Sequence, residues 1–177
     1  MKRARILLCV LIAMVCTFTG SHSLTQNASV QKSSPNETAK RLIGMWTLVS
    51  IVDSQGQPAR GPHPTGFIVY DVSGNMAVQI MPDRARPKWT GAPIESASTP
   101  TPEEAKAALN GYAAYFGTWT VDERAQTVTH HLRGSVNPGN IGVDNVRKYE
   151  FGSGDRVTLI PIAPIKNGNR LTWERVK

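Results

Sequence analysis

Short runs of alternating apolar and polar residues follow one another along the chain from about residue 44. A period of two is typical of half-buried β-strands. In the first run Trp46 and Leu48 share one face, while Thr47, Val49 and Ile51 share the other. The runs predict eight strands, at residues 45–52, 66–71, 76–81, 115–121, 127–135, 143–151, 156–162 and 170–176. Strands joined mostly by short turns predict an all-β fold, an antiparallel up-and-down eight-stranded barrel, with a β-sandwich as the alternative. The interior of such a barrel is filled by side chains or holds one small ligand.

One connection is much longer than the others and leads into a predicted helix. Residues 82–100 contain four prolines and scattered Arg, Lys, Ser and Thr, and loops of this length often act as lids or binding loops. Thr101, Pro102 and Glu104 then form the N-cap, the first-turn proline and the capping box of a helix that should end near residues 111–114. We therefore expect one short mid-chain helix, and access to the interior from the end that this loop covers.

The first 23 residues have the pattern of a signal peptide. Basic residues come first, thirteen uncharged residues follow from 6 to 18, and small residues precede a cleavage position at Leu24. The uncharged run is shorter than the roughly 20 residues that span a membrane, and an uncleaved anchor is the alternative. Residues 24–40 are polar and predict a disordered linker, which leaves residues 41–177 as one barrel domain. The expected location is periplasmic or extracellular.

Cleavage would change the charge and the available chemistry. The whole chain has 20 Lys and Arg against 13 Asp and Glu, a formal charge of +7. Loss of Lys2, Arg3 and Arg5 leaves 17 basic against 13 acidic residues, a charge of +4. Both cysteines, Cys9 and Cys16, would be lost too, so the remaining chain would contain no thiol nucleophile, disulfide or thiolate metal ligand.

Two adjacent histidines lie in the fifth predicted strand. Neighbouring side chains in a strand point to opposite faces, so His130 and His131 cannot bind one metal ion together. Val128 and Leu132 share the face of His130, which indicates that His130 points inward. A hydrogen-bonded core or rim histidine is one interpretation. The other is a ligand donor or a general acid–base that titrates near neutral pH.

Arg147 is the second candidate, in the sixth predicted strand. It shares an inward face with Tyr149 and Phe151, and a buried charge requires a carboxylate partner, a ligand anion or water. A carboxylate ligand is one option, and a structural hydrogen-bond hub or a stacked guanidinium is the other. Tyr149 is a further candidate for ligand contact beside Arg147. Other side chains that could line an apolar pocket, or form plain core, are Tyr70, Met81, Tyr115 and Trp119. A basic-aromatic cluster in the long loop, formed by Arg84, Arg86, Lys88 and Trp89, indicates a solvated loop or a portal for acidic ligands rather than a nucleic-acid site.

Two motifs at the ends of the barrel region carry a family resemblance. Gly44-Met45-Trp46 resembles the Gly-x-Trp signature of lipocalins and the wider calycin group, and Arg175 resembles the arginine that packs over that tryptophan in calycins. A longer ordered series, which begins at Leu42 and includes Gly111 to Trp119 and Thr127 to His131, resembles the lipocalin-like domain family over about residues 42–177. This resemblance implies a calycin-type barrel closed by Gly44, Trp46 and Arg175, without an established activity. The mid-chain helix and the lack of a disulfide depart from true lipocalins.

The leading functional prediction is an exported calycin-type binding protein for a small, mostly apolar ligand, with a carboxylate group as one option. One alternative is an isomerase, cyclase or hydrolase that uses His130 and Arg147 inside the same barrel; the other is an envelope protein with a filled core. The sequence contains no known catalytic signature. We therefore assign no catalytic residue, cofactor or metal site. The expected partner is a small hydrophobic or amphipathic molecule, with no nucleic acid and no stable membrane insertion after cleavage; the oligomeric state stays open.

Overall fold

The structure is a computed structural model that describes residues 36–86, 88 and 100–177. The predicted signal peptide, the linker as far as residue 35, and Trp89 with most of the long loop lie outside the described residues. Within the described part of the chain, no helix is long and apolar enough to cross a membrane.

Eight antiparallel strands close into a barrel in sequence order. They are β1 (Gly44–Val52), β2 (Thr65–Tyr70), β3 (Asn75–Met81), β4 (Ala113–Asp122), β5 (Thr127–Ser135), β6 (Asp144–Phe151), β7 (Arg156–Ala163) and β8 (Arg170–Arg175). Each strand pairs with the next, and β8 pairs with β1. The predicted up-and-down barrel is confirmed, and the sandwich alternative is wrong because no edge remains between two sheets.

Two short α-helices and one 3₁₀ turn (Pro138–Asn140) accompany the strands in the described part of the chain. Helix α1 (Glu37–Leu42) begins at Asn36, whose side chain accepts a hydrogen bond from the amide of Ala39. Residues 37–40 therefore belong to α1 and not to the predicted linker. Helix α2 (Pro102–Leu109) has the predicted capping box. It ends earlier than expected, because Asn110 has an extended backbone.

The core follows the predicted alternation except in β1. Trp46 and Leu48 point inward, and a β-bulge at Val49 then shifts the register against β8. Because an extra residue reverses the alternation, Ile51 is 2% exposed and lies in the core. The expectation that Ile51 shares the face of Thr47 is therefore wrong.

One end of the barrel is closed by α1 and a tryptophan–arginine pair. The indole Nε1 of Trp46 donates to the carbonyl of Leu42 at 2.8 Å, and the guanidinium carbon of Arg175 lies 4.2 Å from the Trp46 ring centroid. Arg175 also donates to the carbonyl of Ile43 at 2.7 Å. Gly44 has φ +131°, and a Cβ there would come within 2.6 Å of the same guanidinium. The three residues of the Gly-x-Trp and arginine motifs thus meet at one end of the barrel.

Candidate functional site

A cavity of about 270 Å³ lies inside the barrel, toward the end opposite α1. Its deeper wall is apolar and includes Ile51, Ile68, Val78, Leu159 and Trp173; its rim includes Ser135, Asn137, Asn140, Asn167 and Asn169. The volume is just below the ~300 Å³ at which typical ligand pockets begin. The connection from β3 to β4 starts and ends at this rim, since β3 ends at Met81 and β4 begins at Ala113. Whether residues 89–99 cover the opening stays a prediction, because they lie outside the described residues.

A chain of four polar side chains lies inside the barrel at the base of the cavity. The hydroxyl of Tyr70 is 2.7 Å from His130 Nε2, and the hydroxyl of Tyr115 is 3.0 Å from His130 Nδ1. Arg147 Nη2 donates to the Tyr115 hydroxyl at 2.8 Å. His130 is completely buried and Tyr70 is 1% exposed, whereas Tyr115 and Arg147 border the cavity. The four residues thus connect the deep core to the cavity wall.

Strand pairing places these four side chains together. Tyr115, Gly117 and Trp119 alternate on the inner face of β4, and Trp119 pairs directly with His130 on β5. A Cβ at Gly117 would collide with the backbone carbonyl of His131. The glycine thus allows β4 and β5 to approach closely beside a register shift between Phe116 and Gly117. On the next strand, Arg147 pairs with Val128.

Burial determines the protonation states of the two deepest groups. Desolvation, followed by the charges of Arg147 and His131, holds the pKa of His130 well below its ordinary value. Desolvation also raises the pKa of the Tyr70 hydroxyl well above its ordinary value. At neutral pH the imidazole is therefore neutral and the Tyr70 phenol keeps its proton.

The charged groups on the cavity wall are both arginines. Arg147 has no carboxylate within 4.0 Å among the described residues. Arg60, at the rim, donates to the carbonyl of Gly111 at 2.6 Å, and burial lowers its pKa from the ordinary value without neutralising it. No acidic residue is found on the described wall. The described wall of the cavity therefore presents positive charge with no acidic residue beside it.

Trp173 carries an unpaired donor behind the cavity surface. Trp173 is 1% exposed and borders the cavity, but its indole Nε1 is itself buried and has no hydrogen-bond partner in the described part of the chain. Because this atom is inaccessible, it adds no donor to the cavity surface. The donors on this wall therefore come from Arg147 and Tyr115.

Three further residues predicted for the site lie away from the cavity. Trp119 packs on Tyr70 with ring centroids 4.8 Å apart, and Tyr149 packs on Phe151 at 5.4 Å. Met81 alternates with the inward Ile80 and lies on the outer face of β3, where its sulfur accepts from Arg86. The structure thus brings together His130, Arg147, Tyr115 and Tyr70. Trp119 packs beside Tyr70 in the core without bordering the cavity, and Tyr149 and Met81 also lie off the cavity wall.

The sequence analysis missed several cavity residues. Asn145 is 8% exposed and borders the cavity on the inner face of β6. Asn145 lies two residues before Arg147 in the same strand, so the alternation of side chains could have indicated that Asn145 also faces inward. Arg60 reaches the rim from the β1–β2 loop, and only strand pairing shows that this loop lies beside Gly111.

His131 forms a separate cluster on the outer wall. Its Nδ1 is 2.7 Å from Asp144, and its Nε2 is 2.9 Å from the hydroxyl of Thr120. Asp144, His131 and Thr120 follow one another in the order of acid, imidazole and hydroxyl that a hydrolase triad has. A triad also needs an oxyanion site and a substrate cleft. Here the backbone amides of β4, β5 and β6 are engaged in sheet pairing, and none of the three residues borders the cavity. The cluster therefore fits a cross-strand polar contact that stabilises the sheet.

The chain is similar to a known protein family and to a solved structure. A redesigned β-barrel of known structure is similar over 82% of this chain and 100% of its own, with 12% sequence identity and a TM-score of 0.46. No curated protein matches the sequence. The family model of the lipocalin-like domain matches residues 43–176, which is most of the chain. The closed eight-stranded barrel and this match together show that the chain belongs to the lipocalin-like domain family.

Proposed function

We propose that the protein is an exported binding protein for a small apolar molecule that carries a carboxylate or a similar anionic oxygen. The single observation that carries the proposal is Arg147, a cation on the inner wall that has no acidic partner among the described residues. A charge in this position is costly unless an anion or water compensates it. A ligand carboxylate would supply that compensation.

The two parts of such a ligand match two parts of the cavity. Burial of the apolar portion against side chains such as Ile68, Val78 and Leu159 contributes about 25 cal/mol per Å² of apolar surface. The anionic oxygen accepts from Arg147, and a charge-assisted hydrogen bond contributes about 1.5–3 kcal/mol net. Arg60 at the rim adds positive potential along the entry route.

The export part of the proposal is supported by the N-terminal sequence. The basic start, the uncharged run 6–18 and the small residues before Leu24 form the pattern of a cleaved signal peptide. Delivery to the periplasm or the extracellular space would give the barrel access to ligands outside the cytoplasm.

The enzyme alternative requires a different role for His130. Both of its ring nitrogens contact tyrosine hydroxyls, and the residue is completely buried. A ligand in the cavity would therefore meet Tyr115 and Arg147 first, and His130 could exchange a proton with it only through Tyr115. The other alternative, an envelope protein with a filled core, is opposed by the cavity.

Calorimetric titration with matched probes tests the binding proposal. The probes are straight-chain carboxylates from butanoate to octanoate and the alcohols of the same length. Arg147→Leu should weaken carboxylate binding by roughly 10- to 100-fold, the equivalent of one charge-assisted bond, and leave alcohols nearly unchanged. Arg133→Leu is the matched control, because it removes the same charge from an exposed position on β5. Equal losses for both classes of probe would show that Arg147 is structural and would refute the proposal.

A further inference from the structure

We propose that Tyr70 and His130 fix the direction of the hydrogen-bond chain so that the Tyr115 hydroxyl donates into the cavity. Tyr115 then determines specificity, and it selects ligands whose head-group oxygen only accepts hydrogen bonds, such as a carboxylate, an enolate or a ketone. The ligand class rests on the proposed function, because it assumes that the ligand enters the cavity. The direction of the chain does not depend on any ligand.

The number of protons on His130 limits how the chain can be arranged. A neutral imidazole has one N–H donor and one bare nitrogen acceptor. His130 contacts one tyrosine hydroxyl at each nitrogen, 2.7 Å from Tyr70 and 3.0 Å from Tyr115. It must therefore accept from one tyrosine and donate to the other. Only two arrangements are possible, and they point the chain in opposite directions.

The burial of Tyr70 distinguishes the two arrangements. If Tyr70 donates to His130 Nε2, its proton has a partner. If it accepts instead, its own O–H has no acceptor, because the described structure gives this hydroxyl no hydrogen-bond partner except His130. At 1% exposure the hydroxyl is closed to bulk water, and an orphan donor costs about 1–3 kcal/mol. The favoured chain therefore runs from Tyr70 to His130 Nε2, and from His130 Nδ1–H to Tyr115.

The direction of the hydrogen-bond chain also determines whether the Tyr115 hydroxyl donates or accepts at the cavity wall. Its oxygen accepts from His130 Nδ1 and from Arg147 Nη2, which uses both of its lone pairs. The Tyr115 proton then has no acceptor in the chain and is available at the cavity wall. Two donors on one hydroxyl oxygen also strengthen its O–H as a donor through hydrogen-bond cooperativity.

A head group that lies against Arg147 and Tyr115 therefore meets donors from both. Arg147 cannot accept a hydrogen bond, and Tyr115 has used its lone pairs. A carboxylate, enolate or ketone oxygen satisfies such a wall. An alcohol or an amine brings its own proton, which finds no acceptor on Arg147 or Tyr115 and would have to turn toward the side-chain oxygen of Asn145. A site built to donate discriminates against such groups because a buried donor is left unpaired.

The tautomer of His130 tests the direction without a ligand. Long-range ¹H–¹⁵N NMR distinguishes a protonated ring nitrogen from a bare one. A variant of the full chain in which His22, His63 and His131 are replaced by Gln would leave one histidine signal. We expect the proton on Nδ1 and a bare Nε2 at neutral pH. A proton on Nε2, or a charged ring, would overturn the proposal while leaving the binding proposal intact.

Matched tyrosine variants test the consequence for specificity. The probes are a seven-carbon ketone and the alcohol of the same length, measured by calorimetry. Tyr115→Phe should weaken ketone binding roughly tenfold or more and change alcohol binding little. Tyr70→Phe should also reduce the preference for ketone, although Tyr70 does not border the cavity; Tyr149→Phe, at a buried tyrosine outside the chain, should not. A Tyr70→Phe protein that keeps the full preference would overturn the positioning role.

Discussion

Acidification should destabilise the barrel through one buried imidazole. Burial lowers the pKa of His130 well below its ordinary value, whereas the unfolded chain has a histidine pKa of about 6.5. Below that pH the unfolded chain takes up a proton that the native barrel does not accept. The free energy of unfolding therefore falls as the pH falls, and this contribution is constant above the unfolded pKa.

The expected size follows from the proton count. One proton taken up only by the unfolded chain changes the free energy of unfolding by about 1.4 kcal/mol per pH unit. Between about pH 7.5 and about pH 5 the integrated loss is ~2 kcal/mol. Carboxyl groups contribute little in this window, because their unfolded pKa values lie near 4. The pKa of Asp71, lowered by its hydrogen bonds with Asn75, matters only at more acidic pH.

Urea unfolding at a series of pH values measures this loss. His130→Phe removes the titrating group, so its stability should be lower than wild type at neutral pH and should change little across the window. The difference between the two proteins should shrink by ~2 kcal/mol toward about pH 5. His63→Gln, at an exposed loop residue, should keep the wild-type dependence. If the wild-type curve were flat across the window, His130 could not be a neutral buried imidazole, and the reasoning would be wrong.

Two further predictions concern the closed end and the N-terminus. Trp46→Ala should destabilise the barrel by ~3–5 kcal/mol through cavity formation, since Trp46 is 2% exposed. A double-mutant cycle with Arg175→Met should give a coupling energy of ~0.5–2 kcal/mol, and a coupling of zero would show that the 4.2 Å stacking contributes nothing. N-terminal sequencing of exported protein should begin near Leu24, and retention of Met1 on exported protein would contradict the signal-peptide prediction.

The parity of strand residues predicted the inner wall well, because alternation is a local property of each strand. His130 and Arg147 both face inward, as their neighbours indicated. The β-bulge at Val49 could not be predicted in the same way. It arises from the pairing of β1 with β8, which are far apart in the sequence, and it moves Ile51 into the core.

The height of a residue along the barrel axis also could not be predicted from the sequence. Tyr149 and Arg147 share one face of β6, yet Arg147 borders the cavity whereas Tyr149 packs with Phe151. Alternation gives the face of a residue but not its height, which depends on register. The contacts of His130 with Tyr70 and Tyr115 have the same origin. They join β2, β4 and β5, and only the closed sheet brings those strands together.

The position of a bound ligand tests the central claim most directly. We suggest ¹³C-labelled octanoate as the probe, with intermolecular NOEs measured to assigned methyl groups. We expect NOEs from the chain of the ligand to Ile68, Val78 and Leu159 on the cavity wall, and loss of these NOEs in Arg147→Leu. The outer wall offers a competing apolar surface, since Phe67 is 49% and Val69 39% exposed. NOEs to Val69 and its outer neighbours alone, unchanged in Arg147→Leu, would contradict an interior binding site.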